Sequence, residues 1–107
     1  MTDTAVGART APGYQQLKDN LCAIAPLIER EAAAGEALRH LSDEAYAALH
    51  GAGLWHILTP RVLGGSELGY CDALALVEEV ARLDGATGWC TMVAGVQHGS
   101  CGSLIVD

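Results

Sequence analysis

An all-α fold, a small up-and-down domain of about four helices, is the class this sequence predicts, and three observations predict it. From Tyr14 onward apolar residues recur at steps of three and four, the spacing that gathers them on one stripe of a helix. The densest run of breakers, Gly51, Gly53, Pro60, Gly64, Gly65 and Gly69, falls between two such stretches. No segment makes a convincing strand, and neither an internal repeat nor a low-complexity tract is present. At 107 residues the chain is expected to be one domain, burying roughly two-thirds of its unfolded surface. Residues 1–12 are small, polar and unpatterned and read as a flexible tail, leaving 13–107 for the domain.

The first helix carries Tyr14, Leu17, Leu21, Ile24 and Ile28 on one stripe. Pro26 removes one hydrogen bond to the carbonyl of Cys22, but the stripe continues in phase. One bent helix is therefore expected, running out through "EREAAAGEALRH" with Gly35 a weak point. Ser42 can cap a second helix, with Asp43 and Glu44 in the first turn, where the macrodipole favours carboxylates. Ala45, Leu49 and Ala52 form its apolar stripe, and Gly51 and Gly53 supply the stop. "LWHILT" follows and reads as a short extended segment.

The joint "TPRVLGGSELGY", residues 59–70, then leads to a third helix, "ALALVEEVARL", for which Asp72 is the expected cap. Its predicted inner side is Ala73, Leu74, Leu76, Val77, Val80 and Ala81, and Glu78 and Arg82 make a favourable i,i+4 pair. Asp84 can cap a fourth helix, from about Ala86 to beyond Gly102. There Gly88, Gly95, Gly99 and Gly102 fall within a sector of about 60°, a bare strip along one face. Interior helical glycine costs up to about 1 kcal/mol relative to alanine, so four on one face need a reason. A closely packed neighbouring helix is the preferred reason, and a flat ligand against the backbone the other. Thr91 and His98 border one side of the strip; Trp89, Met92 and Val96 border the other.

Composition excludes several functions. The net charge is -7, from six Lys plus Arg against thirteen Asp plus Glu, with no cationic cluster to displace counterions from phosphates. Neither nucleic acid nor an anionic membrane is an expected partner. No export signal opens the chain, and no uninterrupted apolar run reaches the roughly 18 residues of a spanning helix, so a soluble cytoplasmic protein is expected.

Cys22, Cys71, Cys90 and Cys101 lack the spacing of a zinc site and are read as reduced, buried small hydrophobes. Cys90 and Cys101 lie about 16 Å apart along the fourth helix, beyond disulfide reach. Glu78 and Glu79 point about 100° apart and read as a solvated face rather than a catalytic pair. His40, His50 and His56 read as surface or capping residues. The double glycine lacks the preceding strand and βαβ unit of a phosphate loop.

Residues 48–89, "ALHGAGLWHILTPRVLGGSELGYCDALALVEEVARLDGATGW", resemble the N-terminal helical domain of the acyl-CoA dehydrogenase superfamily. The resemblance is carried in order by Gly53-Leu54, Pro60, Gly64-Gly65, Ala81-Arg82-Leu83-Asp84 and Thr87-Gly88-Trp89. The Asp84-x-x-x-Gly88-Trp89 arrangement looks most like the branch of flavin-dependent hydroxylases, or monooxygenases, that act on aromatic or polycyclic substrates. It also suggests a reason for the joint, because in the family the chain between the second and third helices must cross and turn sharply. Pro60 fixes one dihedral, and the paired glycines are expected to take positive φ.

The resemblance implies a complete protein with a middle β domain and a C-terminal four-helix domain, FAD or FMN lying between those later domains. The N-terminal helices would help wall the pocket for a small-molecule substrate, an acyl-CoA or an aromatic or polycyclic compound. In the dehydrogenase branch a carboxylate removes a proton α to a thioester as hydride passes to flavin; in the hydroxylase branch reduced flavin and oxygen hydroxylate the substrate. The β domain, flavin contacts and catalytic base belong to segments not found in these 107 residues, so no catalytic residue carries over and no tight flavin binding is expected of this chain alone. Trp89, Thr91 and His98 are the pocket-wall candidates, with His98 as hydrogen-bonder to substrate. Homo-oligomerisation or contact with the missing domains is expected. The alternative is a free-standing helical protein-interaction module without catalytic activity. A cysteine redox sensor is a weaker third reading, because no cation sits beside Cys71, Cys90 or Cys101 in sequence.

Overall fold

The structure, a computed structural model, describes residues 11–105. Four α-helices appear among them: α1 (Tyr14–Leu38), α2 (Asp43–Ala52), α3 (Tyr70–Leu83) and α4 (Gly85–Ile105). Two single-turn 3-10 segments, Leu54–His56 and Arg61–Leu63, lie between α2 and α3. No strand occurs among the described residues, so the expected all-α class holds. The tail reading falls mostly on residues 1–10, which lie outside the described residues.

Burial follows the three-and-four spacing. Leu17, Leu21 and Ile28 of α1 are buried, with Tyr14 and Ile24 partly so, and Pro26 sits inside one continuous helix. They share a cluster with Leu49 and Ala52 of α2, with Leu54, Trp55 and Ile57, and with Ala73, Leu76 and Val80 of α3. Each large aliphatic side chain fully removed from water contributes about 1.5–3 kcal/mol. The α1 end closes when Arg39, at φ 67°, donates its N–H to the carbonyl of Gly35 at 2.8 Å. Ser42 caps α2 as expected, its hydroxyl accepting from the Ala45 N–H at 3.2 Å. Gly53 ends α2 in the left-handed region at φ 88°. Asn20 ties α1 to that end by donating to the carbonyl of Ala52 at 3.1 Å.

Several expectations are corrected. "LWHILT" begins as a 3-10 turn rather than an extended strand; with no neighbouring strand to pair with, the tighter turn carries Leu54, Trp55 and Ile57 into the core. The third helix starts at Tyr70 with Gly69 at its N-cap, so Asp72 lies within the first turn and does not cap. Leu74 is 62% exposed, displaced from the inner side that Ala73, Leu76 and Val80 occupy. Cys22, Cys71 and Cys101 are exposed and Cys90 half-buried, so the cysteines are free, as read, but are not core residues.

Asp84 caps α4, its carboxylate accepting from the Thr87 N–H at 3.0 Å and the Thr87 hydroxyl at 2.6 Å. The chain therefore turns back sharply and α4 packs against α3. Gly88 makes that approach possible: a Cβ there would lie 2.6 Å from the Ala81 Cβ and 2.7 Å from its Cα.

Candidate functional site

The glycine strip and the joint turn out to be two halves of one feature. Gly88, Gly95, Gly99 and Gly102 are all buried. Beyond Gly88 their neighbours belong to the end of "LWHILT" and to the joint that follows it, not to an α-helix. A Cβ on Gly95 would stand 3.4 Å from Ile57, one on Gly99 would stand 2.9 Å from the Leu58 Cβ, and one on Gly102 would stand 2.6 Å from the Pro60 Cδ. The preferred helix-packing reading thus holds at Ala81, and elsewhere a non-helical segment fills the strip. The flat-ligand reading is excluded, because protein atoms already occupy the space.

The joint closes on itself. Ser66, Glu67 and Leu68 donate their N–H groups to the carbonyls of His56, Thr59 and Ile57 at 3.0, 3.1 and 2.9 Å. Gly64 and Gly65 donate to Arg61 and Pro60 at 2.9 and 3.1 Å, and the Arg61 N–H is held by the Glu67 carboxylate at 2.7 Å. The two glycines differ in role. Gly64 takes positive φ, 92°, as expected; Gly65 does not, and is needed instead because a Cβ would collide with the backbone of Thr59. With its amides already engaged, the double glycine has no donors free to cradle a phosphate, and these residues do not fit a flavin's phosphate.

Two imidazoles meet where the joint crosses α4. His98 lies 2.7 Å through Nδ1 from the carbonyl of Trp55. A carbonyl only accepts, so Nδ1 carries the proton and Nε2 is left free. The His56 ring stacks on His98 with centroids 4.5 Å apart and planes 30° apart, and its Nδ1 is 3.0 Å from the Thr59 hydroxyl. Burial, then the neighbouring His98 and His50 rings, lower the pKa of His56 below its ordinary value. This pairing was not visible in the sequence, because His56 and His98 stand 42 positions apart.

The three pocket-wall candidates do not converge. Thr91 is fully buried and donates its hydroxyl to the Thr87 carbonyl at 2.9 Å. Nine helical positions put Trp89 and His98 on opposite sides of α4, about 180° apart. Trp89 borders a cleft of about 740 Å³ shared with Arg39, His40, Leu41 and Asp84. A second groove, about 370 Å³, runs beside the joint between Leu58, Leu68, Tyr70, Val96 and Ser100.

The outer face of α4 went unnoticed in sequence. Its 21 residues include no Asp, Glu, Lys or Arg. Trp89, Val93, Val96 and Leu104 nonetheless face outward, at 65, 36, 47 and 85% exposure, and successive steps of four, three and eight residues align them on one stripe. The signal was available in part: with no charged side chain to mark a solvent face, the exposed side of α4 is shared between these apolar residues and uncharged polar ones such as Gln97 and Ser100. Among the described residues no helix is long and apolar enough to cross a membrane, and no group of three or more His, Cys, Asp or Glu could hold a metal ion.

Comparison with known proteins gives a consistent result. The family described as "Acyl-CoA dehydrogenase, N-terminal domain" matches residues 18–107. The chain is similar to the flavin-dependent monooxygenase, oxygenase subunit HsaA, of Mycobacterium tuberculosis strain H37Rv, 35% identical over 98 residues, covering 89% of this chain and 23% of the relative. It is also similar to the protein of that name from Rhodococcus jostii strain RHA1, 30% identical over 78 residues, covering 73% of this chain and 20% of the relative. The chain therefore spans less than a quarter of the length of these relatives. No solved structure matches it. The chain therefore belongs to the acyl-CoA dehydrogenase N-terminal domain family.

Proposed function

We propose that this chain is the helical pocket-wall domain of a flavin-dependent monooxygenase, built to lean on a flavin-carrying body that these 107 residues do not contain. The outer stripe of α4 carries the reading. Exposed apolar side chains on an uncharged helix mark a surface that another protein layer covers. The names of the relatives favour oxygenase over dehydrogenase chemistry, and the Asp84-x-x-x-Gly88-Trp89 arrangement favours an aromatic or polycyclic compound as substrate rather than an acyl-CoA. Flavin, FAD or FMN, would supply the activation of oxygen and would be held by residues outside this chain.

In this reading His98 is the hydrogen-bonding residue toward substrate, through the Nε2 left free by its bond to Trp55. Trp89 borders a separate cleft, and Thr91 holds the α4 backbone from behind. A cytoplasmic address and a homo-oligomer belong to the same proposal. Titrating the chain with FAD and FMN is the direct test: weak or absent binding is expected, whereas tight one-to-one binding would place the cofactor here and sink the reading. The same stripe also suits a free-standing interaction module. A coding sequence that continues into a β-rich segment favours the oxygenase domain, and an unrelated neighbour favours the module.

A further inference from the structure

We propose that the stacked imidazoles of His56 and His98 form an acid-released latch fixing the joint to α4. The two rings are the polar contact at the crossing, where the glycine strip otherwise offers only shape. His98 grips the joint by donating to the Trp55 carbonyl, and His56 lies flat against His98 while meeting the Thr59 hydroxyl. When both rings are neutral, or only one is charged, the stack is compatible with every one of these bonds. A second proton places two like charges face to face at 4.5 Å and weakens the stack.

Both residues are exposed, so water screens part of that repulsion, and the fixed groups around them do not remove the rest. The end of α2 brings His50 and Tyr46, and α4 brings His98 itself. The joint contributes Arg61 and Glu67, whose carboxylate is engaged by the Arg61 N–H. Among the described residues no carboxylate pairs with either ring. His56 is also part of the joint's backbone closure, because its carbonyl accepts from the Ser66 N–H. Parting the rings therefore loosens residues 58–68 first and leaves the core, with Leu54, Trp55 and Ile57 in it, in place.

Hydrogen exchange on the full chain at pH 7.5 and pH 5.0 tests this. Protection factors of the Ser66, Glu67 and Leu68 amides are expected to fall at least tenfold relative to α1 amides at the lower pH. In His56→Gln, which cannot take the second proton, that differential loss disappears. Equal protection at both pH values, or an unchanged loss in His56→Gln, overturns the latch. The unaltered chain gives an independent decision by NMR: cross-peaks between the two imidazole rings, present at pH 7.5, are expected to be lost at pH 5.0. Cross-peaks that persist at pH 5.0 overturn it as well. A chain that fails to bind flavin, or one that binds it, leaves these readouts unaffected, so the latch and the proposed function fail separately.

Discussion

Gly102 lies directly under Pro60: a Cβ on the glycine would come within 2.6 Å of the Pro60 Cδ and 3.3 Å of the Leu63 Cδ1. A proline ring has no flexible far end to swing aside, so Gly102→Ala must push the joint off α4. The loss from such overpacking is about 1–3 kcal/mol, larger than the helix-propensity gain of up to about 1 kcal/mol. Gly95→Ala is the internal contrast. Its new methyl would stand 3.4 Å from Ile57, an ordinary contact, so propensity wins and the variant is expected to be neutral or more stable. Urea unfolding of the two variants gives the comparison, and a Gly102→Ala chain as stable as Gly95→Ala contradicts the packing described.

The double glycine gives a second ordering. Gly65→Ala meets the Thr59 backbone, whereas a Cβ on Gly64 meets nothing within 4 Å and suffers only its positive φ. Left-handed backbone costs a non-glycine residue about 1–2 kcal/mol, and asparagine tolerates it better. Thermal melts should therefore rank Gly64→Asn closest to the parent chain, then Gly64→Ala, then Gly65→Ala. Equal losses at the two alanine variants would show that both glycines serve φ alone.

These two positions also show what the sequence could and could not reveal. Periodicity alone located α1, α2 and α3, because burial of Leu17, Leu21, Leu49, Leu76 and Val80 depends on local spacing. Ser42 and Asp84 announced their caps through local chemistry. The 3-10 turn at Leu54–His56 was hidden, because a six-residue stretch with four apolar side chains suits a strand or a tight turn and only the absence of a partner strand decides. The occupant of the glycine strip was likewise hidden: sequence marks a bare face but does not name its neighbour. The His56–His98 stack is a contact across 42 positions, and no local pattern encodes it.

The α3–α4 corner rests on one carboxylate. Asp84 accepts from both the amide and the hydroxyl of Thr87, so Asp84→Ala loses the cap at about 0.5–2 kcal/mol, while Asp84→Asn keeps an acceptor and loses less. Circular dichroism melts of the two variants distinguish them. An Asp84→Ala chain that melts like the parent would mean that Gly88 and Ala81 hold the corner by packing alone.

Acid should weaken the fold through His56. Its folded-state pKa lies below the unfolded value of 6.5, so the unfolded chain binds more protons as pH falls below that value. The stability it contributes is fully present above pH 6.5 and declines as pH drops through 6.5 toward the lower folded pKa. His56→Gln should flatten the melting temperature over this window relative to the parent. A parent and variant that lose stability in parallel would assign the acid sensitivity to other groups.

The apolar stripe makes the last prediction, and it separates stability from association. Val96 and Leu104 are 47 and 85% exposed and lie outside the core cluster, so placing lysine at both should change unfolding free energy by no more than about 0.5 kcal/mol each. The same change puts two charges on a helix that carries none, and a charge trapped in a covered apolar face is costly to bury. Sedimentation of the parent chain should therefore show concentration-dependent self-association that Val96→Lys with Leu104→Lys sharply reduces, at unchanged melting temperature. A chain that stays monomeric at every concentration, with or without the lysines, would remove self-pairing as a cover for the stripe; a stripe that tolerates lysine against a flavin-bearing body would remove the basis for the proposed wall. The helix is more useful for this test than any single pocket residue, because the lysines act on the covered face while the glycine face, and with it the joint, is left as it was.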